Sequence, residues 1–294
     1  MRLDVRYTTG YSYSHEVRHV IQLLRLTPQS FPGQHVLDWR IDVDQDVKLR
    51  EHRDGYGNIT HMLYIDRPRD GLEVAIRGQV LTEDRAGVVD GLTGDLPPRV
   101  FCRETPLTHA GRPLLELAHA LDHQRGAPLD KLHRLMAHLH TRMRFDTGET
   151  DAETVATDAY DAGHGVCQDF AHIFIAVSRA IGIPARYVSG HLYRRDGDAA
   201  QEASHAWAEA HVPDVGWVAF DPTNGICADD AYIRVACGLD YRDAAPFAGR
   251  RRGGGTERLD VHVEVRRARV QAPAQSQSQS QGQNQGQSQS QSQS

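Results

Sequence analysis

The sequence predicts an α+β protein with an N-terminal β-sandwich or barrel-like part, then helices packed on an antiparallel sheet, and a disordered C-terminal tail. Two observations support this fold class. The spacing of apolar residues changes from alternate positions to a helical period near residue 98, and the chain becomes Gln-Ser and Gln-Gly repeats from residue 271.

Alternating polar and apolar residues before residue 98 indicate half-buried strands. Asp54-Gly55 marks a turn between two of them, and the doublet Pro97-Pro98 interrupts strand pairing. We therefore predict a separate β-rich domain over residues 1–98. The alternating apolar positions are Leu3, Val5 and Tyr7, then Trp39, Ile41 and Val43, then Met62 and Tyr64.

Helical periodicity follows the boundary and predicts a second domain over residues 99–270. Two amphipathic helices carry Leu114, Leu117, Ala118 and Leu121, and then Leu132, Leu135, Met136, Leu139 and Met143. A third, more apolar helix is expected from Cys167 to about Ile181, and it ends at Gly182. Strands of one antiparallel sheet are predicted over 186–193, 205–212, 217–220 and 259–265. Residues 271–294 hold almost no apolar side chains, and we expect them to be disordered.

Composition excludes several classes of function. The net charge of -6, from 33 basic and 39 acidic residues, argues against nucleic-acid and anionic-membrane partners. Four irregularly spaced cysteines indicate free thiols rather than a disulfide scaffold. The first residues contain no apolar stretch like that of a signal peptide, and we expect a cytoplasmic protein.

The segment Gly163-His164-Gly165-Val166-Cys167 places a cysteine where a glycine-containing turn enters a predicted helix. Unpaired N–H groups and the positive end of the helix dipole stabilise a thiolate, which is the reactive form of cysteine. The same N–H groups can hold an oxyanion that forms when the thiolate attacks a carbonyl. A lone cysteine at a helix start is more often structural, so a catalytic role requires partners.

Two downstream residues supply these partners. His205 begins one predicted strand and Asp221 ends the next, so adjacent antiparallel strands can bring the two side chains together. His205 would take the thiol proton, and Asp221 would fix the orientation of the imidazole ring. His164 and His172 are nearer to Cys167 in sequence, but neither has an Asp-bearing strand beside it. We predict the catalytic residues Cys167, His205 and Asp221.

Three segments resemble the transglutaminase-like superfamily, and in particular its bacterial members with a β-rich N-terminal region. They are RYTTGYSYSHEVRHVIQLLRLTP, GVCQDFAHIFIAVSRAIGIPARYVSGHL and SHAWAEAHVPDVGWVAFDPTNG. The resemblance covers nearly all of the chain except the tail. It implies a papain-like core in which Cys167 starts a helix and His205 and Asp221 lie on a sheet.

The resemblance also implies attack on an amide or ester carbonyl to give a thioester acyl-enzyme. Animal transglutaminases carry an oxyanion-stabilising tryptophan before the cysteine, whereas no Trp lies between Trp39 and Cys167 here. The second oxyanion donor is therefore unassigned. The sequence also lacks the acidic clusters of the calcium-dependent animal enzymes, and we expect no metal and no cofactor.

Several other residues have simpler explanations than a role in chemistry. Gln168 and Asp169 fall in the first helical turn. We expect Gln168 to face solvent or cap the helix locally, and Asp169 to have a structural hydrogen-bonding role. Trp207 and Trp217 could line a substrate groove or pack in the core. The His119 and His123 pair, at a spacing of four, is typical of a solvated helix face rather than of a zinc site.

Three functions remain open at this stage. The first is a peptidase or amidase that hydrolyses peptide-like amides, acting on a peptide or protein substrate. The second is a protein-glutamine transglutaminase that passes the acyl group to a primary amine. The third is a non-catalytic binding or assembly module, which has no physical need for Cys167, His205 and Asp221 together.

Overall fold

Antiparallel sheets dominate the computed structural model, and one buried helix lies at its centre. The structure describes residues 1–66, 71–94, 96–196, 200–201, 203–253 and 255–268. The predicted disordered tail, residues 271–294, lies outside the described residues. Among the residues described, no helix has the length and apolar character needed to cross a lipid bilayer.

Short 3-10 helices at Pro98–Cys102 and Pro106–Thr108 follow the proline doublet and precede the main helices. The strands are β1 (Arg2–Tyr13), β2 (Val17–Thr27), β3 (Gln34–Val43), β4 (Arg50–Arg53), β5 (Ile59–Asp66), β6 (Gly71–Thr82), β7 (Val88–Val89), β8 (Arg144–Phe145), β9 (His164–Gly165), β10 (Ala185–Leu192), β11 (Ala200–Gln201), β12 (His205–Val212), β13 (Gly216–Asp221), β14 (Ile226–Cys227), β15 (Tyr232–Gly238), β16 (Phe247–Gly253) and β17 (Glu257–Arg267). The α-helices are α1 (Arg112–Asp122), α2 (Pro128–Arg142), α3 (Ala156–Ala162), α4 (Cys167–Ala180) and α5 (Tyr241–Ala244).

Two antiparallel sheets form the β-rich part of the molecule. Their strand orders are β11-β17-β1-β6-β3 and β16-β2-β5-β4. The alternation in β1 is confirmed, because Leu3, Val5 and Tyr7 are all buried. Buried residues of both sheets and of the helices belong to one continuous apolar core.

The face that strand β5 buries differs from the prediction. Met62 and Tyr64 were expected to point inward, but they are 41% and 55% exposed. Leu63 and Ile65, between and after them, fill the core instead. The four residues form one apolar run, in which local alternation does not define the buried face.

The last predicted strand is present, but its position in the second sheet is wrong. Strand β17 pairs with β1 along its length, with Tyr7 opposite Val263, and β16 pairs with β2. The end of the chain therefore returns to the N-terminal sheets. The domain boundaries at residues 98 and 270 stay predictions.

The second sheet has the order β14-β13-β12-β10-β15, with β7 added beside β13. Its three central predicted strands, at 186–193, 205–212 and 217–220, are confirmed as β10, β12 and β13. The three predicted helices are confirmed as α1, α2 and α4, whereas α3 and α5 were not predicted. The result is the expected α+β arrangement of helices packed on an antiparallel sheet.

Helix α4 lies against β10 and β12, with α1, α2 and α3 around it. Small side chains make this close approach possible, since Ala206, Ala208 and Ala210 occupy the face of β12 that joins the helix core. On the helix, Phe170 and Phe174 are fully buried in the same cluster. Because α4 is enclosed on nearly every side, its first residue is held firmly relative to the sheet.

The opposite face of the same sheet buries an ionic cluster. Glu209 of β12 accepts hydrogen bonds from Arg186 Nε at 2.6 Å and from Arg234 Nε at 2.8 Å. Arg186 also lies over the Trp217 ring, 3.9 Å from its centroid. Burial would raise the pKa of Glu209, but the charges of Arg234 and Arg186 hold it below its usual value. The cluster links β10, β12 and β15.

Replacing Glu209 by Gln should therefore destabilise the protein strongly. The substitution leaves two buried guanidinium groups without their carboxylate, which costs roughly 3–5 kcal/mol of unfolding free energy. Urea unfolding followed by circular dichroism measures this loss. The control Glu116→Gln removes an exposed partner of Arg112 and should leave the unfolding curve unchanged. Equal curves for the two variants would contradict the assigned role of the cluster.

Candidate active site

The start of helix α4 is built around a buried carboxylate. Asp169 Oδ2 accepts hydrogen bonds from the backbone N–H of Val166 at 2.8 Å and from Thr150 Oγ1 at 2.7 Å. A Cβ at Gly165 would lie only 2.6 Å from that same oxygen, so the preceding position requires glycine. These contacts fix the turn that presents Cys167. The structural hydrogen-bonding role expected for Asp169 is confirmed.

Cys167 occupies the first residue of α4 and is partly exposed. Its N–H and that of Gln168 lie in the first helical turn, where no earlier turn supplies carbonyl acceptors. The Gln168 side chain points toward the Asp151 carbonyl, with 3.5 Å between the nitrogen and the oxygen. The nucleophile predicted from sequence therefore lies at the positive end of a buried helix.

His205 and Asp221 meet at one end of the second sheet. Strands β12 and β13 run antiparallel with Ala208 opposite Phe220, so the first residue of one lies near the last residue of the other. His205 Nε2 and Asp221 Oδ2 are 2.6 Å apart. Asp221 is fully buried, and the His205 side chain is 10% exposed.

The Cys167 side chain lies beside the same imidazole ring, close enough to contribute to the raised pKa of His205. Since Nε2 is engaged by Asp221, the other ring nitrogen, Nδ1, is the one available to the sulfur. The structure thus brings together all three residues that the sequence singled out. Their order, from thiol to imidazole to carboxylate, is the order that nucleophilic catalysis requires.

The electrostatics of the site favour a charged imidazolium. Burial lowers the pKa of His205, but the charge and hydrogen bond of Asp221, with a further contribution from Cys167, raise it to about 10. Burial would raise the pKa of Asp221, but His205, Asn224 and Tyr232 hold it below its usual value. The ring that faces Cys167 is therefore positively charged at neutral pH.

Asp221 has partners that the sequence did not assign. Its Oδ1 accepts the backbone N–H groups of Thr223 at 2.9 Å and Asn224 at 3.2 Å. Its Oδ2 accepts the Asn224 side chain at 2.6 Å and the Tyr232 hydroxyl at 2.7 Å. Asn224 belongs to the Phe-Asp-Pro-Thr-Asn segment, whereas nothing in the sequence around Tyr232 marks it.

The remaining aromatic and histidine candidates are structural. Trp207 and Trp217 are 1% and 4% exposed, so both pack in the core. His172 is fully buried, accepts the N–H of Tyr241 at Nε2, and has its pKa lowered to about 3 by burial. His164 lies on β9, which pairs with β8 and not with β13, the strand that ends in Asp221. His205 is therefore the ring placed to act on Cys167.

An open cleft begins at His205. Its walls include Leu192 at the end of β10 and Tyr193 after it, Ile226 of β14 and Phe145 of β8. Phe145 and Ile226 are large apolar residues that remain 54% and 42% exposed. The cleft offers apolar surface next to His205.

Within the described ranges, no three His, Cys, Asp or Glu side chains converge to hold an ion. The His119 and His123 rings lie side by side on α1 and the residue after it, tilted at 35° with their centroids 4.0 Å apart.

Comparison with known proteins shows the family to which the chain belongs. The profile of the transglutaminase-like superfamily matches residues 116–222, and that of the bacterial transglutaminase-like N-terminal region matches residues 3–81. Protein ML0607 of Mycobacterium leprae is 30% identical over 285 residues, which cover 90% of this chain and 99% of that protein. The chain belongs to the transglutaminase-like superfamily.

The chain is also similar in fold to a solved structure, and in sequence to part of a larger enzyme. A crystal structure of a candidate cysteine protease from Cytophaga hutchinsonii superposes with a TM-score of 0.75 at 21% identity, covering 92% of each chain, and establishes the fold. A protein-glutamine gamma-glutamyltransferase of Pseudomonas aeruginosa is 33% identical over 97 residues, which cover 31% of this chain and 14% of that enzyme.

The raised pKa of His205 predicts a specific dependence of stability on pH. Its proton stabilises the fold fully below the unfolded value near 6.5, and this contribution is lost as pH rises through about 10. A Cys167→Ala background removes the titration of the thiol. In that background, the stability advantage of His205 over His205→Gln should shrink by up to about 1.4 kcal/mol per pH unit above pH 6.5.

Urea unfolding of Cys167→Ala and of Cys167→Ala/His205→Gln, at intervals from pH 6 to pH 10, measures this difference. A difference that stays constant across the range would contradict the proposed charge state of His205.

Proposed function

We propose that this protein is a cysteine acyl-transfer enzyme that acts on peptide-like amides through a thioester intermediate. The observation that carries the proposal is the contact chain from Cys167 to His205 to the buried Asp221. A binding module would gain nothing from holding a buried carboxylate against an imidazole that faces a thiol. Membership of the transglutaminase-like superfamily supports the same reaction class.

The proposed reaction begins with a thiolate and an imidazolium. The Cys167 sulfur attacks the substrate carbonyl carbon, and the carbonyl π electrons move to its oxygen. As the tetrahedral intermediate collapses, the C–N bond breaks and His205 donates its proton to the departing amine. The product of this half-reaction is a thioester on Cys167.

The second half-reaction reverses the proton transfer. An acceptor approaches the thioester, His205 removes its proton, and the acceptor oxygen or nitrogen forms the new bond to the acyl carbon. Cys167 then leaves as the thiolate beside the imidazolium. Throughout, the buried charge of Asp221 stabilises the protonated ring and keeps Nε2 directed away from the sulfur.

The oxyanion would be held at the start of helix α4. The N–H groups of Cys167 and Gln168 are the nearest candidates, because the first turn leaves its donors without helical partners. The second donor that animal transglutaminases take from tryptophan has no counterpart here, since Trp207 and Trp217 are both buried in the core.

We propose water as the main acceptor, which makes the enzyme a peptidase or amidase. The cleft that His205 lines is open to solvent, so water has access to the imidazole that would activate it. A primary amine is the second candidate, giving a protein-glutamine transglutaminase. The observation in its favour is the similarity over 97 residues to an enzyme named as a protein-glutamine gamma-glutamyltransferase.

Incubation with glutamine-bearing protein and a fluorescent primary amine separates the two reactions. Hydrolysis predicts ammonia or peptide release that is independent of the amine, whereas transfer predicts incorporation of the label. Cys167→Ala should lower either activity by at least about 10³-fold, because it removes the nucleophile. Full activity in this variant would contradict the proposal, and amine incorporation without hydrolysis would establish the transferase alternative.

The exposed apolar residues of the cleft support a substrate with a bulky apolar side chain on the His205 side. Arg194 with Asp196, and Arg195 with Asp229, form ion pairs along its rim, so the rim carries little net charge to select a charged substrate. Burial of apolar area against Phe145 and Ile226 is then the main source of selectivity.

Phe145→Ala should raise KM for peptide amides with a bulky apolar residue by about 10-fold, the effect of losing one apolar contact of about 1.4 kcal/mol. Peptides with a small residue at that position should show little change. The matched control Leu115→Ala truncates an apolar side chain on α1, 51% exposed and outside the cleft, and should change neither. Equal effects on both peptide types would exclude this selectivity.

The cytoplasmic location and the absence of nucleic-acid and membrane partners remain predictions from the sequence. The proposed reaction requires neither a cofactor nor a metal ion.

A further inference from the structure

Asp221 is surrounded by more hydrogen-bond donors than the orientation of His205 alone requires. Two of them come from the side chains of Tyr232 and Asn224, and both reach Oδ2, the oxygen that also contacts His205. We propose that Tyr232, together with Asn224, is a positioning residue that keeps Asp221 ionised and directed at His205. This inference rests on the proposed function and assigns a further part of the same site.

The path of the chain explains how Tyr232 reaches Asp221. Tyr232 begins β15, which lies beyond β10 and β12 from β13 in the sheet order. The connection from β13 to β15 crosses the end of the sheet. At its start, the Ala228 N–H donates to the Ala219 carbonyl of β13. At its far side, the Ala231 carbonyl accepts the N–H of Tyr193, the residue after β10. This crossing brings the Tyr232 side chain next to Asp221 and to His205, the first residue of β12.

Packing then fixes the Tyr232 hydroxyl in place. Its ring is 6% exposed and lies edge-on to Trp207, with 5.4 Å between the centroids. It also lies beside the His205 ring, at 5.9 Å. A rigid aromatic ring between these two residues holds its hydroxyl at 2.7 Å from Asp221 Oδ2 with little freedom to turn away.

The two carboxylate oxygens of Asp221 accept hydrogen bonds from different kinds of donor. Backbone N–H groups of Thr223 and Asn224 hold Oδ1, and they remain whatever the side chains are. Oδ2 depends on side chains, because Tyr232, Asn224 and His205 all meet there. Burial and the nearby Asp221 charge raise the pKa of Tyr232 far above neutrality, so its hydroxyl stays a donor.

Hydrogen bonds to the ionised form of a buried carboxyl oppose its protonation. Losing the Tyr232 hydroxyl should therefore weaken the charge that sustains the imidazolium, and with it the Cys167 thiolate. Other ionisable groups around the pair are Cys167 on α4, His140 on α2, which contacts the Thr223 carbonyl at 3.0 Å, Cys227 on β14, and Asp229 in the connection. Tyr232→Phe leaves all of these residues in place, so a displaced profile reports the loss of the hydroxyl.

The test is the pH dependence of Cys167 alkylation by iodoacetamide in the full-length chain, followed by mapping of the modified peptide by mass spectrometry. Tyr232→Phe keeps the ring and removes the hydroxyl. Loss of one hydrogen bond to a charged group predicts a rate at pH 6 about tenfold below that of the wild type, with the rise in rate displaced to higher pH.

The chain offers a matched control in Tyr56→Phe. The Tyr56 hydroxyl donates to Asp243 Oδ2 at 2.6 Å, a tyrosine–aspartate bond of the same kind away from the site. Its alkylation profile should match the wild type, whereas both variants should lose similar stability. A purely structural role for Tyr232 predicts instead that the two variants behave alike.

A Tyr232→Phe profile that coincides with the wild type, or equal displacement in both tyrosine variants, would overturn the inference. If Tyr232→Phe does not fold, Asn224→Ala tests the same inference at an exposed position. It should displace the alkylation profile to higher pH as well. An unchanged Asn224→Ala profile in that case would also overturn it. Wild-type Cys167 that is inert at pH 6 would contradict the proposed function itself.

Discussion

The hydrogen bond between His205 and Asp221 is the contact on which the proposed chemistry depends. Asp221 has no exposed surface, so water contributes nothing to keeping it charged, and its ionisation relies on protein donors. The charge it retains raises the pKa of His205 to about 10 against the effect of burial. Much of the architecture serves this contact, since the β12 and β13 pairing sets its distance and the alanine face of β12 lets helix α4 bring Cys167 to the ring.

The periodicity of apolar residues predicted where helices and strands lie better than it predicted which strands pair. The helices at α1, α2 and α4 and the strands β10, β12 and β13 follow from local patterns of burial. Pairing of β17 with β1 joins the two ends of the chain, and local alternation contains no information about a partner so distant in sequence. The inverted faces of Met62 and Leu63 have a local cause, because a continuous apolar run fits either face.

In the candidate site too, residues marked by their own sequence segment could be predicted, and residues brought in from distant strands could not. Cys167, His205 and Asp221 could be predicted because each lies in a short segment with a recognisable setting, a helix start or a strand end. Tyr232 could not, since only the crossing of the chain over the sheet end brings its hydroxyl to Asp221. The buried cluster around Glu209 was missed for a similar reason, as its arginines come from two other strands.

The central claim is that Cys167 forms a thioester with its substrate. Acid quenching during turnover with a mixed peptide-amide library, followed by intact mass spectrometry and peptide mapping, tests it most directly. A thioester intermediate predicts an acyl adduct on Cys167 that hydroxylamine releases and that Cys167→Ala lacks. Turnover with no adduct on Cys167, or with an adduct that persists in Cys167→Ala, would contradict it.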